Sequence, residues 1–290
     1  MGPDFQGGPP QGPLTAGLPA PATGQQATPG HRAITGACPA IARGFSCLMR
    51  RRIRAAQRYL ARHPGPIGLV LHDRLTGATW RNAYATTALP AASTIKLAVA
   101  TDLLIRASAD RITLRAQDRA LLYEALHESS DTAADKLWAA FENGRFLRRI
   151  TRFGMRSCSF SANRPYWGYM YCSPLDLDSL MNYVLGRLPR ADRDYLVCQL
   201  RHVGRIQQWG VWGAGHARRP GNKDGWEDDN GTWVTDTVGF AGPHARYTLS
   251  IMDEQRAPAD FHRGANTLTQ VSALLFRGGH VPRPTAEATP

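Results

Sequence analysis

The chain has 290 residues, 43% hydrophobic and 20% charged, which is enough apolar matter for one large domain or two small ones and excludes disorder throughout. Lys and Arg outnumber Asp and Glu by 35 to 23, and the resulting +12 either favours anionic partners or marks a solvated basic surface. Zinc-finger spacing, an RNA-binding aromatic signature, heptads and a span-length apolar run are all missing from the sequence, which sets aside nucleic acid and a membrane span.

Residues 1–46 are crowded with Gly, Pro, Ala, Thr and Gln and lack periodicity, so a disordered tail or processed leader is expected there. No basic segment followed by an apolar run can be picked out of it. Either the protein stays in the cytoplasm, or its true start and signal lie elsewhere. From Cys47 to His63 a helix is predicted, with Leu48, Ile53, Ala56 and Leu60 as its apolar stripe. "PIGLVLHD", the turn "RLTG" and "ATWRNAYA" predict a β-hairpin.

Residues 93 to about 200 are mostly helical in pattern. Ser93 and Lys96 lie one helical turn apart, so hydroxyl and amine share a face. The apolar Ile95, Leu97, Ala98, Val99, Leu103 and Leu104 mark this helix as buried. Burial lowers the pKa of an ammonium, and a neutral amine beside a hydroxyl is a base beside a nucleophile. "HESSDTAADKLW" places Ser129, Ser130 and Asp131 just before the next clear helix. After Gly221 the pattern returns to strands, "NKDGW", "GTWVTDTVGF" and "ARYTLSIMD", then a closing helix, "FHRGANTLTQVSALLFRGG". The expected fold class is α+β: an antiparallel sheet of about five strands, flanked by N- and C-terminal helices, with an inserted all-helical lobe over about 93–215. The domain should cover 47–280, with 281–290 a flexible tail. A monomer is expected.

Together, S-x-x-K at Ser93 and Lys96, Ser-Ser-Asp at 129–131 and Lys-Asp-Gly at 223–225 resemble the S-x-x-K, S-D-N and K-T-G motifs of the serine β-lactamase and D,D-peptidase superfamily. The resemblance is closest to class A-like serine hydrolases of actinobacteria, and "DTAADKLW" and "SPLDL" add to it. It implies that Ser93 attacks a carbonyl to form an acyl-enzyme while Lys96 takes its proton. Ser129 would pass a proton to the leaving nitrogen, and Lys223 would hold Ser129 and attract a substrate carboxylate. The backbone N–H groups of Ser93 and Trp226 would form the oxyanion hole. Gly225 would permit close approach at the strand edge. The implied partner is a small-molecule or peptide acyl substrate bearing a carboxylate. No cofactor and no metal are implied, and the family acts outside the cytoplasm.

The departures are specific. Asp131 stands where an amide would donate to substrate, and it has the charge to pair with Lys96 and weaken it as a base. Asp224 replaces a hydroxyl and adds a charge expected to repel a carboxylate. No glutamate lies between Glu142 and Glu227, and the stretch expected to supply the deacylating base is the aromatic "SFSANRPYWGYMYC". Asp176 and Asp178 follow it, in what reads as the next helix, as solvated or capping carboxylates. Rapid turnover of β-lactams is therefore not expected. Three functions stay open: an acyl-serine hydrolase acting on an amide or ester (a β-lactam or D-Ala-type peptide), a weak or non-catalytic binding protein on the same fold, and a cytoplasmic tailoring acyl hydrolase or transferase.

Of the smaller features, Tyr166, Trp167, Tyr169 and Tyr171 either wall the site or pack. Trp209 and Trp212 read as packing residues, His127 as structural, and Arg218 and Arg219 as a solvated pair or a carboxylate anchor. The cysteines are Cys38, Cys47, Cys158, Cys172 and Cys198. They are an odd number without metal spacing, and either ordinary thiols or, for Cys158 and Cys172 in an exported protein, a loop clip.

Overall fold

The computed structural model describes residues 44–278, apart from 64, 143, 162–164 and 230. The expectations for residues 1–43, for the C-terminal tail and for Cys38 lie outside the described residues.

Helix α1 spans Cys47–Leu60 and is capped by Ser46, whose hydroxyl accepts from the Met49 amide at 3.2 Å. Its buried face is Met49, Ile53 and Ala56, while Leu48 is 60% exposed. The predicted stripe is thus rotated by one residue at its start, because the cap fixes the helix's first turn. Strands β1 (Ile67–Asp73) and β2 (Ala78–Arg81) form the predicted hairpin, with Leu71 opposite Trp80. Three more strands come from the other end of the chain: β6 (Gly221–Asp229), β7 (Thr232–Ala241) and β8 (Tyr247–Glu254). All five make one antiparallel sheet in the order β2-β1-β8-β7-β6, which leaves β6 at an edge.

The sheet has two apolar faces, and each is covered. On one, α1 and the last helix, α8 (Phe261–Phe276), pack with the 210–214 turn against Leu69, Leu71, Leu249 and Ile251. On the other, Val238, Phe240 and Met252 join the core of the helical lobe. That lobe contains α2 (Ile95–Ser108), α3 (Ala116–His127), α4 (Asp131–Phe141), α5 (Phe146–Ile150), α6 (Pro174–Arg187) and α7 (Arg190–Arg201). Helix α2 is buried nearly all round, as its composition predicts. A second, small sheet has the order β3-β5-β4, from Leu89–Pro90, Met170–Cys172 and Ser159–Phe160. These strands of two or three residues were not predicted, since they are too short for alternation to show.

Candidate active site

The site lies where the start of α2, the start of α4 and edge strand β6 meet. Ser93 sits in the single 3₁₀ turn Ala92–Thr94 that runs into α2, where the first N–H groups of a helix lack internal partners and carry the positive end of its dipole. Two non-glycine residues of the candidate site lie in left-handed backbone, Ala92 with φ 41° and Ser129 with φ 59°. Such conformations cost energy and persist only where packing imposes them. Ser130 begins α4 by accepting from the Ala133 amide at 3.2 Å, and Asp131 occupies the first turn, which suits a carboxylate.

Ser129 is the meeting point. Its hydroxyl accepts from the Lys223 ammonium at 2.8 Å and from the Lys96 ammonium at 3.5 Å, and Lys96 also donates to the Ser129 carbonyl at 2.5 Å. Both lysines are buried, Lys96 at 1% and Lys223 at 0% exposure. Burial pulls the Lys96 amine below the usual lysine range, opposed by the Asp131 carboxylate 2.5 Å away. Burial, and then repulsion from Lys96, pull Lys223 well below it. The anticipated Lys96–Asp131 pair is therefore present. Among the described residues Ser93 has no hydrogen bond to its hydroxyl, and the Lys96 ammonium is aimed at Ser129 and Asp131.

Gly225 is fixed by the turn that carries Ser93. A Cβ there would lie 2.8 Å from both the Ser93 and Thr94 amide nitrogens, so only glycine lets β6 close on the 92–94 turn. The close approach expected at this glycine is made, among the described residues, by the Ser93–Thr94 backbone.

Strand alternation corrects the third motif. Lys223 and Gly225 face the Ser93 turn, whereas Asp224 and Trp226 face the other side. The Asp224 carboxyl accepts from the Thr237 hydroxyl at 2.6 Å, and the Trp226 ring lies near those of Trp209 and Phe261, at 6.2 and 5.9 Å between centroids. Burial pushes Asp224 up to about 8, so the expected repulsion of a substrate carboxylate does not arise from its side chain. Trp226 keeps only its backbone on edge strand β6 as a candidate donor. Trp209 packs as predicted.

Gln207 has no motif to announce it. Fully buried, it accepts from the Lys223 ammonium at 2.5 Å and the Asp224 amide at 3.2 Å, and donates to the Leu126 and His127 carbonyls, both at 2.7 Å. It ties the Lys223 strand to the turn that presents Ser129. The aromatic segment also reaches the site: Trp167 is 5% exposed, and the Lys96 ammonium stands 4.6 Å from its ring. Asp135, one turn after Asp131, accepts from the Trp167 indole at 2.9 Å and from the Tyr166 hydroxyl. Asp176 caps α6 through Ser173, as expected, whereas Asp178 is not a solvated carboxylate: it is buried and accepts from the Thr248 hydroxyl of β8. Arg219 lines a separate cleft of about 500 Å³ with Arg201, His202 and Trp212, before β6 begins. Among the described residues no group of three or more His, Cys, Asp or Glu could hold a metal, and no helix is long and apolar enough to cross a membrane.

No family model matches the chain. Its sequence is 27% identical over 241 residues to "Putative lipoprotein LppW" of Mycobacterium tuberculosis, an alignment covering 79% of this chain and 76% of that one. Among solved structures, a β-lactamase from Chitinophaga pinensis superposes with a TM-score of 0.68 at 13% identity, over 79% of this chain and 99% of its own. PBP-A superposes with a TM-score of 0.67 at 20% identity, over 79% and 95%. The chain has the serine β-lactamase/penicillin-binding protein fold. On this β-lactamase-like fold, the three motifs fall at the start of the central helix, at the loop opening α4 and on the edge strand, the contexts their order implied.

Proposed function

We propose that the protein is an acyl-serine hydrolase in which Ser93 is the nucleophile. The observation that carries this reading is the Ser129 hydroxyl held between two buried lysine amines, Lys96 and Lys223, with β6 packed against the Ser93 amide. Neutral Lys96 takes the Ser93 proton as Oγ bonds to the carbonyl carbon. The resulting oxyanion is held by the Ser93 and Trp226 N–H groups. Collapse breaks the bond to the leaving nitrogen or oxygen, which takes a proton from Ser129; Lys96 then returns the proton it accepted to Ser129. Lys223 supplies positive charge for a carboxylate on the substrate. A variant of PBP-A solved as an acyl-enzyme with penicillin-G supports a β-lactam or D-Ala-type peptide as acyl donor.

Water must then release the acyl group without a glutamate, since Trp167 occupies the place beside Lys96. The acyl-enzyme is accordingly long-lived. A second reading, a binding protein that does not turn over, is favoured by the 2.5 Å pairing of Lys96 with Asp131, which stabilises the charged form of the base. Intact mass spectrometry after incubation with penicillin G and with a fluorophosphonate separates the two. An adduct on the wild type, absent from Ser93→Ala, is expected; no adduct with either probe rejects the hydrolase.

A further inference from the structure

The β4–β5 ladder pairs Ser159 with Tyr171 and Phe160 with Met170. One step further along that register, Cys158 stands opposite Cys172. Both thiols are free, and proximity to Cys158 together with burial pushes the Cys172 thiol up. Opposed residues of antiparallel strands have Cα atoms about 4.5 or 5.5 Å apart, inside the span of about 4.4–6.8 Å that a disulfide bridges without moving the backbone.

The position of this pair gives it a consequence. Strand β5 is the middle strand of the small sheet, and on its other side Cys172 pairs with Leu89 and Tyr171 with Pro90. The Met170 carbonyl accepts from the Ala91 amide at 2.8 Å, two residues before Ser93. A bond across β4–β5 would therefore brace the strand against which the nucleophile's turn is seated.

We propose that Cys158 and Cys172 are an oxidisable pair that closes to a disulfide and braces the seat of Ser93. The oxidant is a disulfide of the glutathione class. Cys158 is half-buried and Cys172 fully buried, so Cys158 meets the oxidant first. Its thiolate attacks one oxidant sulfur and expels one thiolate. Cys172, giving up its proton, then attacks the Cys158 sulfur and expels the second. Each cysteine sulfur is oxidised by one electron, and the oxidant is reduced to two thiols. The bond needs nothing from the acyl-transfer reading, and its readouts do not involve acylation.

The test incubates the folded full-length protein with oxidised glutathione, blocks remaining thiols with iodoacetamide, and maps peptides without reduction. The expected result is a cross-linked Cys158–Cys172 peptide pair, a loss of two hydrogens from that pair, and a Tm about 6 °C or more above the reduced protein, from closing a loop of about 15 residues. Cys172→Ser should lose the cross-link and the Tm rise together. Two alkylated thiols, a glutathione adduct that stays on Cys158, or a cross-link to another cysteine would each overturn the proposal.

Discussion

Substituting Gly225 by Ala tests the link between the third motif and the proposed nucleophile, Ser93. The added methyl would sit 2.8 Å from two backbone nitrogens, Ser93 and Thr94, where ordinary contact begins at 3.4 Å. Neither obstacle is the end of a flexible side chain, so β6 and the 92–94 turn must part by about 0.6 Å. Overpacking of this kind costs about 1–3 kcal/mol. For a domain this size that lowers Tm by about 2–12 °C. Because the atoms displaced include a proposed oxyanion donor, acylation by a fluorophosphonate should fall by about tenfold to a hundredfold, in proportion to a sub-ångström misplacement. Thermal unfolding and the second-order acylation rate, measured on the same preparation, read both effects. Gly186→Ala is the contrast: it lies in α6 with only the Arg74 guanidinium nearby, at 3.9 Å, and should gain about 0.5–1 kcal/mol. A Gly225→Ala protein with unchanged Tm and acylation within about twofold of wild type would refute the packing argument.

Asp131→Asn removes a carboxylate that raises Lys96, so the pH midpoint of acylation should move down and the rate at neutral pH should rise by up to about fivefold, the scale of an exposed ion pair. Stopped-flow acylation across pH reads this, and an unchanged profile would show that the pair does not restrain the base. Gln207→Met strips acceptors and donors from Lys223 and the 126–127 carbonyls; a loss of about 1–3 kcal/mol and slower acylation are expected, checked by denaturant unfolding alongside the probe rate. Burial pushes Asp253 up to about 7 and Asp224 up to about 8 in the folded protein. The folded state thus keeps protons that the unfolded chain releases near pH 4, so stability is fullest below that pH and is lost as pH rises through 7 to 8. Thermal scans from pH 5 to 8.5 should show Tm falling, with a shallower slope in Asp253→Asn.

Much of this fold is written in local patterns. The hairpin at 67–81, buried α2 and the late strands each follow from apolar spacing and turn residues, and the order of three short motifs picked out the elements that build the site. The strand rule also held information left unused: on a strand containing Lys223, position 224 must face away, so placing Asp224 in a substrate pocket conflicts with alternation. Gln207 is a different kind of omission. Its partners lie about eighty residues earlier and sixteen later, and nothing in "RIQQWG" distinguishes it from a neighbouring glutamine. Trp167 stood among four aromatics, any of which would have satisfied the pattern; only the packed chain selects the one beside Lys96.

The pairing of β1 with β8 sets when this site comes into being. Leu69 stands opposite Ile251 in the β1–β8 register, so the first hairpin made during synthesis waits for most of the chain before its inner edge is covered. Ser129 and Lys223, 94 positions apart, cannot meet until β6 has docked. Contacts this distant in sequence form slowly, because the closure entropy of a long loop must be met first. On the proposed function, reactivity at Ser93 would be a property of the finished chain: a nascent or truncated protein would carry the serine and the lysine without the chemistry, and the onset of labelling by an acylating probe would time the last step of folding.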